Sequence, residues 1–311
     1  MLTRELVKTV GFDDSETDII LEKDALYSAR LSPFVDKYTK LLALEPYVPY
    51  TIETGKVANL AAVNYVNECI KALPEENEHF ARLLAWLELL PFLKEKYKAL
   101  GIGDDIFAYT VNDIYCKVRE CRNVHGVLGV FVDWFFLFYD IKLFGFGRLQ
   151  FECKEYGIQD YTFGDHTIKK GDTVFNCHIP TSGPVTLSSC LESFDRAYHF
   201  FKPRLSGSIM PIMCASWLLY PPYIEKVFPD GSNTKNFALL FAPVTTTETE
   251  EFSDAWRVFD KDIKGVDIST LPCKTSMQRA FINYLKGNNP TFGYGHGVIL
   301  WDGENKKIIN N

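Results

Sequence analysis

Asn176-Cys177-His178-Ile179-Pro180-Thr181-Ser182-Gly183-Pro184-Val185-Thr186-Leu187 is the stretch on which the reading of the chain turns, because it joins a strand to a helix. Upstream, the Lys169-Lys170-Gly171 turn signal opens a strand over 172–179. Its alternation puts Phe175, Cys177 and Ile179 on one side and Val174, Asn176 and His178 on the other. Downstream, Leu187, Cys190, Leu191, Phe194, Ala197 and Phe201 fall at helical core spacing. Ser189 and Glu192 offer that helix a capping box. Ile209 to Cys214 is then a short apolar run, as expected of a central strand covered on both faces. Strand, helix and strand in this order predict a βαβ unit with parallel strands and a right-handed crossover.

The chain changes character near Leu143. Before it the periodicity is helical: Val63, Val66, Ile70 and Leu73 form one stripe, Phe80, Leu83, Leu84, Leu87 and Leu90 a second, and Phe107, Val111, Ile114 and Val118 a third. Pro91 and the Gly101–Gly103 turn punctuate them. After it, residues 147–154 alternate, with Leu149, Phe151 and Cys153 opposite Arg148, Gln150, Glu152 and Lys154, which predicts a half-solvated strand. Further strands are expected over 236–242 and up to Trp301, with helices after Pro222, around 252–259 and over 277–285. The expected fold class is α/β (α+β): a helical domain over 1–143, then a mixed sheet flanked by helices over 144–311.

Bulk composition bounds the function. With 311 residues, 47% apolar and 23% charged, the chain is an ordinary globular protein long enough for two cores. A net charge of −7 speaks against a nucleic-acid partner, because phosphate backbones are held by clustered Lys and Arg. The most apolar stretch, 124–146, is interrupted by Asp133, Asp140 and Lys142, so a buried aromatic helix is expected there and no membrane span. The eight cysteines form no CxxC pair and none has a histidine at zinc-finger spacing, so no metal site is expected. Most lie in apolar periodic segments, which points to a reducing cytoplasm.

Chemistry is sought at the carboxyl ends of the parallel strands, where open α/β sheets gather ligands. A helix N-terminus at such a place presents unpaired N–H groups to a phosphate. Gly183 lets a ligand approach the backbone there, and Ser182 and Thr186 add hydroxyls. An ordinary βα connection uses the same Pro, Ser and Gly residues, so both readings stand at this point. His178 ends one strand and Cys214 the other, the minimum for a base and a thiol, although a cysteine in an apolar run is ordinarily inert packing. Ser216, Tyr220 and Tyr223 follow, with Tyr220 or Tyr223 as a candidate acid, and Glu152 is a candidate base. Aromatic packing explains the tyrosines equally well, and an exposed strand face explains the glutamate.

Taken together, Gly147-Arg-Leu-Gln-Phe-Glu152, His178-Ile-Pro180, Ser193-Phe-Asp-Arg-Ala-Tyr-His-Phe-Phe201, Cys214-Ala-Ser-Trp-Leu-Leu219, Ser232-Asn233 and Ser276-Met-Gln-Arg-Ala280 resemble a family of bacterial acyltransferase-domain proteins. Its members have a helical N-terminal domain and a C-terminal domain similar to the GNAT superfamily, and the likeness extends over most of the chain. The resemblance implies an acyl-CoA donor, acetyl-CoA or another, whose pantetheine arm lies between two splayed parallel strands. Cys177 and Ile179 would then lie beside that arm, and Thr181, Ser182, Gly183, Val185 and Thr186 beside the pyrophosphate. It implies an amine or hydroxyl acceptor, with proton transfers by His178, Glu152, Tyr220 or Ser216, or an acyl group routed through Cys214. GNAT loops usually carry Gly-x-Gly or Gly-x-Ala; here one glycine and a proline stand instead. That departure keeps two rivals open: a binding or regulatory module without catalysis, and a cysteine hydrolase using Cys214 and His178.

Overall fold

The computed structural model describes residues 1–42 and 48–310 of the chain. These fall into two compact units: the described residues up to 154 with 179–182, and residues 155–178 with 183–310.

The first unit is helical, as its stripes predict: α1 (Arg4–Val10), α2 (Asp14–Thr39), α3 (Ile52–Ala72), α4 (Glu78–Leu87), α5 (Leu90–Ala99), α6 (Asp104–His125) and α7 (Phe136–Tyr139). Their starts are written locally. Asp13 and Glu16 close a full capping box on α2, Thr51 caps α3 and Asn77 caps α4. Pro91 occupies the first turn of α5, where its missing N–H costs nothing. Phe107, Val111, Ile114 and Val118 of α6 are fully buried. The aromatic run after α6 packs inside this unit, with Trp86 stacked on Tyr139 at 5.6 Å and edge-on to Phe135 at 5.8 Å.

The unit also holds the antiparallel hairpin β1 (Leu143–Gly145) and β2 (Gln150–Glu155). Here the expected half-solvated strand is corrected. Gln150 and Glu152 are only 1% and 6% exposed. α6 covers Gln150, whose amide donates to the carbonyls of Tyr109 at 3.3 Å and Thr110 at 3.1 Å. A buried amide keeps its place when its donors are matched in this way. The expected aromatic helix over 124–146 is corrected as well. Gly126 ends α6 in the left-handed region at φ 72°, and irregular backbone, the short α7 and β1 follow. Gly129 is held against α4, where a Cβ would lie 2.5 Å from the His79 carbonyl carbon. No described helix is long and apolar enough to cross a membrane.

The second unit is a mixed sheet with helices. Its elements are β3 (Tyr161–Phe163), β4 (His166–Ile168), β5 (Thr173–His178), α8 (Leu187–Phe201), β6 (Ile209–Ser216), α9 (Pro221–Lys226), α10 (Asn233–Ala238), β7 (Ala242–Thr249), α11 (Trp256–Phe259), α12 (Ser276–Leu285), β8 (Phe292–Asp302) and β9 (Lys307–Ile308). β3 and β4 form a separate hairpin. In the sheet the order runs β5-β6-β8-β7, with β9 on β8; β5 and β6 are parallel and the rest antiparallel. The βαβ expectation therefore holds. One face carries Tyr156, Ile168, Val174, Met213, Val298 and Leu300 as a single core. On the other, α8 sets Phe194 against Trp301 at 5.6 Å and Phe201 against Phe175 at 4.3 Å.

The strand expected over 236–242 is instead α10, capped by Ser232 at the Lys235 N–H, and pairing begins only at Ala242. β8 brings an alternation of another kind, Gly293, Gly295 and Gly297. A Cβ on these residues would sit 2.3 Å from the Thr247 oxygen, 2.0 Å from the Leu219 oxygen and 2.7 Å from Phe241 Cβ, respectively. The bare strand thus lets the 217–220 segment, a short 3-10 turn, lie directly on the sheet.

Candidate functional site

β5 and β6 are in register at Phe175–Ile212 and Asn176–Met213 and not beyond. β6 continues to Ser216, but against β8 only: Cys214 faces Gly297, Ala215 faces His296 and Ser216 faces Gly295. The two parallel strands therefore part at their carboxyl ends, and α8 begins nine residues past the end of β5. Thr186 rather than Ser189 is the cap: its Oγ1 accepts from the Ser189 N–H at 3.2 Å and donates to Ser189 Oγ at 2.8 Å. Pro184 favours an extended residue before it, so the turn starts three residues ahead of the expected box. Gly183 has φ 151° and nothing within 4 Å of where a Cβ would be, which leaves its backbone open to a ligand.

The second unit gathers Cys177, His178, Cys214, Ser216 and Tyr220 at these strand ends, with Gly183, Val185 and Thr186 leading into α8. His178 is half-buried, and its Nε2 lies 3.0 Å from Asn176 Nδ2. In the tautomer that carries its proton on Nδ1, this nitrogen accepts from the Asn176 amide, which then occupies its lone pair. Cys177 is buried, its Sγ 4.0 Å from the His178 carbonyl. Cys214 is fully buried, which is the setting of a packing cysteine and not of an accessible thiolate. Ser216 Oγ accepts from the Leu218 N–H at 3.1 Å and so caps the turn that follows. Tyr220 is 2% exposed, with its ring 4.9 Å from that of Tyr223. Burial pushes the Tyr223 hydroxyl well above the ordinary tyrosine range, so it keeps its proton.

The remaining candidates belong to the first unit: Glu152 on β2, buried opposite Leu143, and Ile179, Thr181 and Ser182. Thr181 Oγ1 donates to Glu120 Oε1 at 2.8 Å. Glu120 also accepts from Lys117 Nζ at 3.0 Å, and Lys117 lies 3.6 Å from Asp113 and 5.3 Å over the Trp134 ring. All three charged groups are at most 9% exposed. This cluster was missed in the sequence. Its signal is the spacing of Asp113, Lys117 and Glu120 along one face of α6. Arg279 on α12 reaches the carbonyls of Cys273 and Lys274 at 3.0 and 2.8 Å.

A sequence family described as a GNAT-like C-terminal domain matches residues 143–299, half of the chain. The chain belongs to that family. A second family, the N-acyltransferase N-terminal domain, matches residues 32–141. The chain thus carries a GNAT-like domain behind a segment that matches the N-acyltransferase N-terminal domain. No curated protein matches the sequence. Solved structures with the same fold include an acyltransferase in complex with CoA and 10C-teicoplanin, at 19% identity and a TM-score of 0.67 over 96% of this chain and 87% of that one. Another, an acyltransferase in complex with decanoyl-CoA and teicoplanin, gives 20% identity and a TM-score of 0.67 over the same 96% and 87%. Among the described residues no group of three or more His, Cys, Asp and Glu side chains could hold a metal.

Proposed function

We propose that this GNAT-like protein transfers an acyl group from acyl-CoA to an amine or hydroxyl of a small-molecule acceptor by direct attack. The observation that carries it is the parting of β5 and β6 beyond Asn176–Met213, with the start of α8 just past it. Backbone N–H groups at parted strand ends suit the two amides of a pantetheine arm, as in β-augmentation. The first turn of α8 and the open backbone of Gly183 suit the diphosphate. That related structures hold CoA, octanoyl-CoA and decanoyl-CoA supports the donor, and teicoplanin in two of them supports a small-molecule acceptor. The His178 imidazole, released from Asn176, takes the proton as the acceptor nitrogen or oxygen bonds to the thioester carbon. Strand N–H groups stabilise the oxyanion, the C–S bond breaks, and the Tyr220 hydroxyl protonates the leaving thiolate. Ser216 holds the turn that carries Tyr220, and Cys177 lies alongside the arm. Seven of the eight cysteines are buried, which supports a reducing, cytoplasmic setting.

The test is the thermal midpoint of the purified protein with and without CoA. Binding to the folded state adds about 2.7 kcal/mol at a hundredfold excess over the dissociation constant. The shift should vanish in Gly183→Val, because a β-branched residue is strained at that φ. Absence of any shift at millimolar CoA would leave the family fold without its donor. A binding module without turnover is the second reading. It is favoured by Pro184, which lacks an N–H, and by the Thr181 and Thr186 hydroxyls, already engaged by Glu120 and Ser189. A CoA-induced shift without thiol release from any acyl-CoA and amine would establish it.

A further inference from the structure

The second unit contains a cavity of about 630 Å³, a volume typical of small-molecule pockets. Leu219, Pro221, Ile224, Leu239, Phe241 and Val244 supply its apolar wall. Of the charged side chains that border it, Lys235 is already paired with Asp230 at 2.6 Å and the other, Glu225, is an anion. Thr245, Thr246 and His296 also border it, but the wall is mostly apolar, and hydrocarbon gains from every methylene placed there. Leu239 remains 54% exposed beside the opening, where a large apolar side chain gains little without an apolar visitor.

The position of the cavity identifies the visitor. Leu219 lies three residues beyond the end of β6, and the cavity's Gly297 and His296 face Cys214 and Ala215 across the β6–β8 ladder. The cavity therefore begins on β8, the strand that pairs with β6, and extends over β7, whose Pro243, Val244, Thr245 and Thr246 also line it. Because Gly297 has no side chain, Leu219 and Phe241 close directly over the strand and form the floor. We infer that this cavity receives the aliphatic tail of the acyl donor, so that the preferred donor is a medium or long unbranched acyl-CoA and not acetyl-CoA. The inference rests on the acyl-CoA reading above.

Calorimetry on the full chain with CoA, acetyl-CoA, decanoyl-CoA, decanoic acid and decylamine tests it, in the wild type and in Leu239→Asp and Val244→Trp. Leu239→Asp alters a half-exposed side chain, and a thermal midpoint for each variant confirms that it folds. Decanoyl-CoA should bind at least about tenfold tighter than acetyl-CoA. Both substitutions should erase that gain and leave CoA itself unchanged. Equal binding of the two donors in the wild type, or a gain that survives both substitutions, overturns the inference. So does loss of decylamine binding with decanoyl-CoA unaffected, which would assign the cavity to the acceptor. If CoA and acetyl-CoA do not bind at all, the donor reading itself fails. Decanoic acid then decides separately: binding to the wild type and to neither variant keeps the cavity as an aliphatic-chain site, and no binding removes it.

Discussion

Gly295→Ala is the perturbation whose consequence the structure defines most sharply. The new Cβ would stand 2.0 Å from the Leu219 carbonyl oxygen and 2.5 Å from its carbon, where real Cβ atoms stay beyond 3.0 Å. Both obstacles are backbone, so no rotamer change relieves them. The 217–220 segment must retreat from β8 by about 1 Å, or the strand must bend away. Overpacking of this kind costs about 1–3 kcal/mol, and the backbone obstruction places it near the upper end. For a unit of this size about 3 kcal/mol lowers the melting midpoint by roughly 6–12 °C. Thermal unfolding followed by circular dichroism measures it, with Gly157→Ala as control because nothing lies within 4 Å of that Cβ. The retreat also displaces Leu219 and Tyr220, so acyl transfer should fall even where the protein is fully folded. A Gly295→Ala midpoint within about 0.5 kcal/mol of the control would refute the close approach.

Other outcomes follow from the same geometry. His178→Ala should lower the rate of thiol release from acyl-CoA about 10²–10⁴-fold while the protein stays folded. Asn176→Ala, which frees the tautomer of His178, should cost less, about tenfold, and a His178→Ala rate within threefold of wild type would remove that base. Thr181→Val takes a donor from the buried Glu120 carboxylate and should destabilise the first unit by about 1–3 kcal/mol in urea; unchanged stability would show that the carboxylate's other partners suffice. Glu88 is pushed up to about 8 by burial and then by its hydrogen bond with Asp24. The folded state therefore holds a proton that the unfolded chain releases near the ordinary value of 4.5. Stability from this group is complete below 4.5 and is lost as pH rises towards 8. The melting midpoint should fall over that window, and Glu88→Gln should flatten the fall; a slope that survives the substitution assigns it to other groups.

The elements that frame the site were legible because they obey a single period. Val174 to Cys177 alternate, Leu187 to Phe201 recur at helical spacing, and Ile209 to Cys214 are continuously apolar, so each segment names its own geometry. Periodicity does not say what covers a face, and Gln150 and Glu152 therefore look solvent-exposed in sequence yet are buried, Gln150 under α6. Residues 236–242 are apolar in either geometry; the Ser232 cap decides for a helix, and the threonine run from Thr245 supplies the strand that follows. The bare side of β8 was missed because hydrophobic pattern reading scores glycine as silence. Thr181 was expected on a ligand, yet its hydroxyl is engaged by a glutamate some sixty residues earlier, a long-range pairing that no local window contains.

The hairpin of β1 and β2 gives the two family segments a shared history. The N-terminal family segment ends at residue 141 and the C-terminal one begins at 143, but the compact helical unit continues to residue 154. A recombination event cutting between the two segments would separate Gly145 from the Thr110 hydroxyl that its N–H meets at 2.8 Å, and Gln150 from the carbonyls it serves. The fragment that kept α6 would expose an apolar flank, and the fragment that kept the hairpin would carry polar groups stripped of their partners. Lineages of this protein should accordingly pass on both halves as one heritable block, and chimaeras joined after residue 155 should express better than those joined at 142.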